Sequence, residues 1–196
     1  GEADEEQEKA EEAGQTAMKS IGDMTRAELA ALVQERLRAK GVEEILCGGS
    51  CVSIYSDETY VSDDLDLVHA SLLSPRRRVI RETMLELGFG EEGRHFAHPE
   101  TDLLVEFPPG PPSLGDEPAG KIEEMPEATG LLRLLSPTDC VKDRLACYFY
   151  FGDEQCLRQA LLVARRRSID MAEVGRWAGK AGREERLRRF QDLLRG

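Results

Sequence analysis

Apolar and polar positions change period several times along the chain, and each change marks a new element. Leucines and alanines recur at helical spacing in "RAELAALVQERLRAKG", with Thr25 placed to cap the helix, Glu28 three residues on, and Gly41 at its stop. "VEEILCGG" reads as a short strand running into a glycine turn, and "SCVSIYSDETY" as a helix starting at Ser50. "SDDLDLVHA" alternates as a strand, and "SPRRRVIRETMLELG" is a helix capped by Ser74 with Pro75 at its first position. "GRHFAHPETDLLVEFP" predicts a hairpin turning around Pro99 to Thr101. A Pro/Gly-rich loop from Pro108 to Gly120 leads to two short strands, Lys121 to Met125 and Gly130 to Leu135. The remainder is helical, with caps at Ser136, Asp153 and Asp170 and a last helix from Arg183 to Leu194. Strands and helices alternate and then strands pair, which predicts an α/β (α+β) fold: a small mixed β-sheet flanked by helices. The expected division is an acidic tail over 1–23, an α/β domain over 24–135, and a helical region over 136–196 packed on it.

Composition narrows the function classes. The 196 residues, 40% hydrophobic and 33% charged, suit one globular domain with a real core. No apolar run is long enough to span a bilayer or serve as a signal peptide, so a soluble, cytoplasmic protein is expected. Five cysteines (Cys47, Cys51, Cys140, Cys147, Cys156) are odd in number and lack CxxC spacing, so neither a disulfide framework nor a structural zinc site is indicated. The net charge of −12 argues against polyanion binding overall, but half of it sits in "GEADEEQEKAEEAGQ", which reads as a solvated tail. Against it stand Arg76-Arg77-Arg78, Arg165-Arg166-Arg167 and the Arg-rich stretch from Arg183 to Arg195. These are solvated helix faces or a route to a phosphate-bearing partner such as RNA.

Three local patterns carry little. Gly88 to Gly93 matches GxGxxG, yet it follows a helix and enters a strand, the reverse of what dinucleotide binding needs, and so reads as a helix stop and turn. His95 and His98, three apart on a strand, point to opposite faces and read as single structural histidines. No GxxxxGK[ST] occurs, which removes P-loop chemistry.

"CGGSCVSIYSDETYVSDDLDLV" carries more. With a strand period of two, Asp64 and Asp66 project from one face while Leu65 and Leu67 enter the core. Carboxylates held this close repel unless a divalent cation joins them, and an oxygen-rich site suits Mg²⁺, which shares its remaining positions with substrate phosphates. Upstream, Gly48-Gly49-Ser50 offers approachable backbone, a hydroxyl, and the positive end of the following helix, which is what a phosphate tail requires.

These residues resemble the nucleotidyltransferase superfamily with the DNA polymerase beta-like fold, whose signature is a Gly-[Gly]-Ser turn, a helix, and a strand bearing Asp-x-Asp. Gly49-Ser50 and Asp64-Leu65-Asp66 match in order and spacing. The resemblance spans roughly residues 45 to 107 and, more weakly, the helices from "SPTDCVKDRLA" onwards, which are similar to those of minimal and AbiEii-type nucleotidyltransferases. It implies a third acid on a neighbouring strand; in "TDLLVEF" Glu106 is the choice and Asp102 the fallback, with glutamate a departure from the commoner aspartate. It further implies Mg²⁺ or Mn²⁺ held by Asp64, Asp66 and Glu106, and a nucleoside triphosphate held by Gly48, Gly49, Ser50 and Lys142. The reaction expected is transfer of a nucleoside monophosphate to an unidentified small molecule, protein side chain or RNA end. The alternative is an inactive module on the same fold, such as a toxin–antitoxin-like component. The run Tyr148-Phe149-Tyr150-Phe151 reads as helix core rather than pocket lining.

Overall fold

Thr25 closes the first turn of α1 (Arg26–Arg38) from both sides: its hydroxyl accepts from Glu28 N at 3.2 Å, and Glu28 Oε2 accepts from Thr25 N at 2.7 Å. Gly41, at φ +77°, turns the chain into β1 (Glu44–Cys47), which is buried throughout. Then come α2 (Gly48–Tyr55), β2 (Asp64–His69), α3 (Arg77–Glu86), β3 (Gly90–Glu92), β4 (His95–His98) and β5 (Thr101–Glu106). A two-residue ladder of β6 (Ser113–Leu114) and β7 (Glu117–Pro118) interrupts the Pro/Gly loop before β8 (Ile122–Glu127) and β9 (Gly130–Leu135). The chain ends in α4 (Pro137–Phe151), α5 (Glu154–Arg166), α6 (Met171–Lys180) and α7 (Glu184–Arg195). This computed structural model describes residues 19–71 and 77–196. Ser74, Pro75, Arg76 and the acidic segment over 1–18 lie outside the described residues.

Seven strands form one mixed sheet in the order β3-β4-β5-β2-β1-β9-β8. β1 runs antiparallel to β2 and parallel to β9, and β2 runs parallel to β5. The hairpin around Pro99 is the β4–β5 pair, and β8 and β9 form a second hairpin. Leu65, Leu67 and Val105 are fully buried, as are Leu132 and Leu134 on β9, so the centre of the sheet is the core. Three expected caps are in place. Ser136 Oγ accepts from Asp139 N, Asp153 Oδ1 from Gln155 N, and Asp170 Oδ1 from Glu173 N, at 3.2, 2.7 and 3.0 Å.

Some expectations are corrected. The second helix begins at Gly48, two residues early, because Cys47 is still extended and Gly48 makes the turn itself. β3 is exposed along its length and carries no alternation to read. Cys147 and Cys156 form a disulfide, against the sequence expectation: Gly152, left-handed at φ +70°, folds α5 back on α4 and brings their Cα atoms to 6.0 Å. Cys47, Cys51 and Cys140 are buried free thiols. Of the aromatic run, Tyr148 and Phe149 are core, the latter stacked on Trp177 at 5.4 Å, while Phe151 is 84% exposed. Among the described residues no helix is long and apolar enough to cross a membrane.

Candidate active site

The site is built where β1 turns into α2 over the face of β2. Gly48 has φ +67°, and a Cβ there would stand 2.2 Å from Asp66 Oδ2, so both backbone and space demand glycine. On β2, Asp64 and Asp66 are part-exposed on one face while Leu65 and Leu67 are buried on the other. Cys47 pairs with Asp66 from one side of β2, and Glu106 on β5 pairs with it from the other. Asp64 sits opposite Leu104, which leaves Asp102 two positions further along and exposed. Register thus brings Glu106, and not Asp102, beside Asp66.

The Asp66 carboxyl is pushed up to about 6, first by burial and then by the charges of Glu106 and Asp64. Asp143 on α4 pushes in the same direction, and Arg144 beside it pulls back. Arg144 Nη2 donates to Asp143 Oδ2 at 2.5 Å and its Nη1 to Gln159 Oε1 at 3.4 Å, which fixes its head below α5. Glu106 Oε1 accepts from Arg94 Nε at 3.1 Å, with His95 Nδ1 at 3.9 Å. Among the described residues, the three His, Cys, Asp or Glu donor atoms that all lie within 4.8 Å of one another belong to Cys147, Asp153 and Cys156, whose two sulfurs are joined in a disulfide and so hold no ion. The carboxylates of Asp64, Asp66 and Glu106 therefore face one region without closing to the spacing of a single ion's ligands.

Ser50 and Lys142 are placed differently from expectation. Ser50 is fully buried; its hydroxyl donates to the Asp64 carbonyl oxygen and accepts from Arg26 Nη1 at 3.2 Å. It ties the first turn of α2 to β2, with both partners of its hydroxyl inside the fold. Gly49 is packed as closely, since a Cβ there would meet Ser62 Oγ at 2.7 Å. Lys142 is buried between Asp139 and Glu173, 3.0 Å from each, joining α4 to α6. Its ammonium is neutralised inside the helical region by these two carboxylates. The cation that Asp66 feels is Arg144, two residues on, and the fourth acid is Asp143. Neither announces itself in "SPTDCVKDRLA", where only the docking of α4 decides which residue faces the sheet.

A cavity of about 160 Å³ is bounded by Cys47, the strand partner of Asp66, by Val68, the prolines 111 and 112 and Leu114, and by Asp143, the one of the four acids that lines it. Asp64, Asp66 and Glu106, with Asp66 raised first by burial and then by its acidic neighbours, form a hard oxygen donor set of the kind that takes Mg²⁺ or Mn²⁺. The residues present fit such an ion in donor chemistry.

No family model matches the chain, and the comparison with curated proteins gives no match. Among solved structures the chain is similar to the solution structure of the antibiotic-resistance factor ANT(2'')-Ia, at 18% identity and a TM-score of 0.46, over 82% of this chain and 90% of that one. It is also similar to the crystal structure of ANT(2'')-Ia in complex with adenylyl-2''-tobramycin, at 18% identity and a TM-score of 0.39, over 70% of this chain and 95% of that one.

Proposed function

We propose that the chain is a metal-dependent nucleotidyltransferase, moving a nucleoside monophosphate from a nucleoside triphosphate to a hydroxyl or phosphate acceptor. The observation that carries this reading is the register of Asp66 against Glu106, with Asp64 on the same face and Gly48 clearing space at the start of α2. Asp64, Asp66 and Glu106 would hold Mg²⁺ or Mn²⁺, which when bound supplies neutralisation of the triphosphate and a lowered pKa for the acceptor hydroxyl.

The chain's own groups divide the remaining work. Gly48 lets the Asp66 carboxylate lie against the positive end of α2. Since Ser50 is committed to Asp64, the donors available to a phosphate at this turn are backbone amides. Arg144 offsets part of the negative charge around Asp66, and Asp143, which lines the neighbouring cavity, can accept a hydrogen bond from a ligand there. Arg94 occupies Glu106 until that carboxylate is needed elsewhere.

The test is to incubate the protein with each α-labelled nucleoside triphosphate, Mg²⁺ and cell extract. Label should pass to an acceptor with wild-type protein, and Asp64→Asn should reduce transfer by at least a hundredfold while the variant stays folded. Failure of all four nucleotides to transfer, or full transfer by Asp64→Asn, would overturn the proposal.

A further inference from the structure

A second cavity, of about 360 Å³, lies at the same end of the sheet, between α3 and the β3–β4 turn. Its floor is apolar: Ile80 and Phe96 are buried there, and Phe107 packs edge-on against Phe96 with ring centroids 5.7 Å apart. Its rim carries three cations, Arg77 and Arg81 from α3 and Arg94 from the turn, against one lining acid, Glu91, which Arg81 meets at 2.9 Å. Arg94 belongs to both places, since its guanidinium lines this cavity and also holds Glu106. Phe96 pairs with Val105 and Val105 with Leu65, which sets the groove floor on the sheet face opposite the acids, so the two places meet round the end of the sheet, where Arg94 holds Glu106.

The other arginine clusters are engaged within the fold. Arg167 donates to Tyr55 O at 2.9 Å and to Asp57 Oδ1 at 2.6 Å; Arg166 donates to Thr59 and Arg165 to Leu193 O. In the C-terminal stretch Arg186 donates to Phe149 O, and Arg189 clasps Glu154 with two bonds. Around this groove Arg81 is held by Glu91 and Arg94 by Glu106, while Arg77 is exposed at the start of α3, so a phosphate would compete with two carboxylates for the rim.

We infer that this groove receives the acceptor, and that the acceptor is a single-stranded polynucleotide end, with phosphates on Arg77, Arg81 and Arg94 and a base against Phe107. The inference rests on the transferase reading for the word acceptor, but the binding site stands on its own observations. Arginines set around an aromatic floor are what single strands need, because the guanidinium meets phosphate and every base has a face to stack. A volume of about 360 Å³ is within the range of small-ligand sites, sufficient for one base with its sugar. The overall acidity of the chain is no obstacle, since charges beyond about 10 Å are screened at 0.1 M salt.

The experiment measures fluorescence anisotropy of a labelled 12-nucleotide single-stranded RNA, in chelator and without nucleotide, across a salt series. Arg77→Gln with Arg81→Gln, both exposed and so tolerated by the fold, should weaken binding about tenfold and lower the salt slope by about 1.4, two phosphate contacts at roughly 0.7 each. Phe107→Leu should weaken it several-fold at unchanged slope. Absence of binding at low salt, unchanged binding in the double arginine variant, or equal affinity for a duplex of the same sequence would each overturn the inference. Because no metal or triphosphate is present, failure here is distinguishable from failure of transfer: label passing to a small uncharged acceptor without RNA binding would remove the groove's role and leave the transferase.

Discussion

Asp66 and Gly48 are two halves of one local compromise. The Asp66 carboxyl is pushed up to about 6, first by burial and then by its acidic neighbours, so the native state binds a proton that the unfolded chain, near 3.8, has already released. Its contribution to stability is thus present in acid and lost as pH rises from about 4 to about 6. Asp66→Asn should accordingly stabilise the metal-free protein at pH 7 by at most about 3 kcal/mol, with the gain vanishing near pH 4; thermal unfolding in chelator at the two pH values measures it. A variant less stable at pH 7 than the wild type would mean that Asp66 accepts hydrogen bonds the fold needs. Gly48→Ala should act in the opposite direction. The left-handed backbone alone costs about 1–2 kcal/mol with a side chain, and the displaced Asp66 carboxylate should cost metal affinity as well. A denaturant midpoint together with Mn²⁺ titration separates the two effects.

At the scale of elements, α4 is the piece whose docking the sequence does not reveal. Its cap at Ser136 and its length are legible, because Ser-Pro at a helix start and the helical spacing of Val141, Leu145 and Tyr148 are local signals. The strands β2 and β5 were equally legible from alternation, and with them the common face of Asp64, Asp66 and Glu106. Which way α4 turns is a tertiary fact. It places Lys142 between Asp139 and Glu173 and hands Arg144 and Asp143 to the site. The hydroxyl of Ser50 was unreadable for the same reason, since its partner is a backbone carbonyl fourteen residues away on β2. The Cys147–Cys156 pair depends on the turn at Gly152 bringing two helices together. The two placements of Lys142 are separable by mutation. Glu173 is drawn down to about 2, first by Arg176 and then by Lys142, so the ammonium belongs to an ion-pair chain linking α4 and α6. Lys142→Met should destabilise the protein by about 3 kcal/mol, because Asp139 and Glu173 would be left facing each other. A denaturant titration showing unchanged stability, with loss of nucleotide binding, would instead return Lys142 to the phosphate.

At the scale of the whole molecule, the sheet carries the acids on one face and the arginine-rimmed groove on the other, joined round its end by Arg94 and Glu106. The clustered carboxylates of Asp64, Asp66 and Glu106 would repel a triphosphate at close range unless they were first neutralised, so divalent metal should be a precondition for nucleotide binding rather than an accessory to it. Native-state binding raises stability by mass action, about 2.7 kcal/mol at a hundred times Kd, so a rise in Tm with triphosphate should appear with Mn²⁺ and disappear in chelator. The most direct measurement of the central claim is calorimetric titration of ATP, GTP, CTP and UTP in turn into the protein, with and without Mn²⁺, for wild type and Asp66→Asn. At least one triphosphate should bind the wild type only with Mn²⁺, and Asp66→Asn should weaken this binding at least tenfold while remaining folded. Binding that is as tight in chelator as in Mn²⁺, unchanged binding in Asp66→Asn, or no binding of any of the four would contradict that claim.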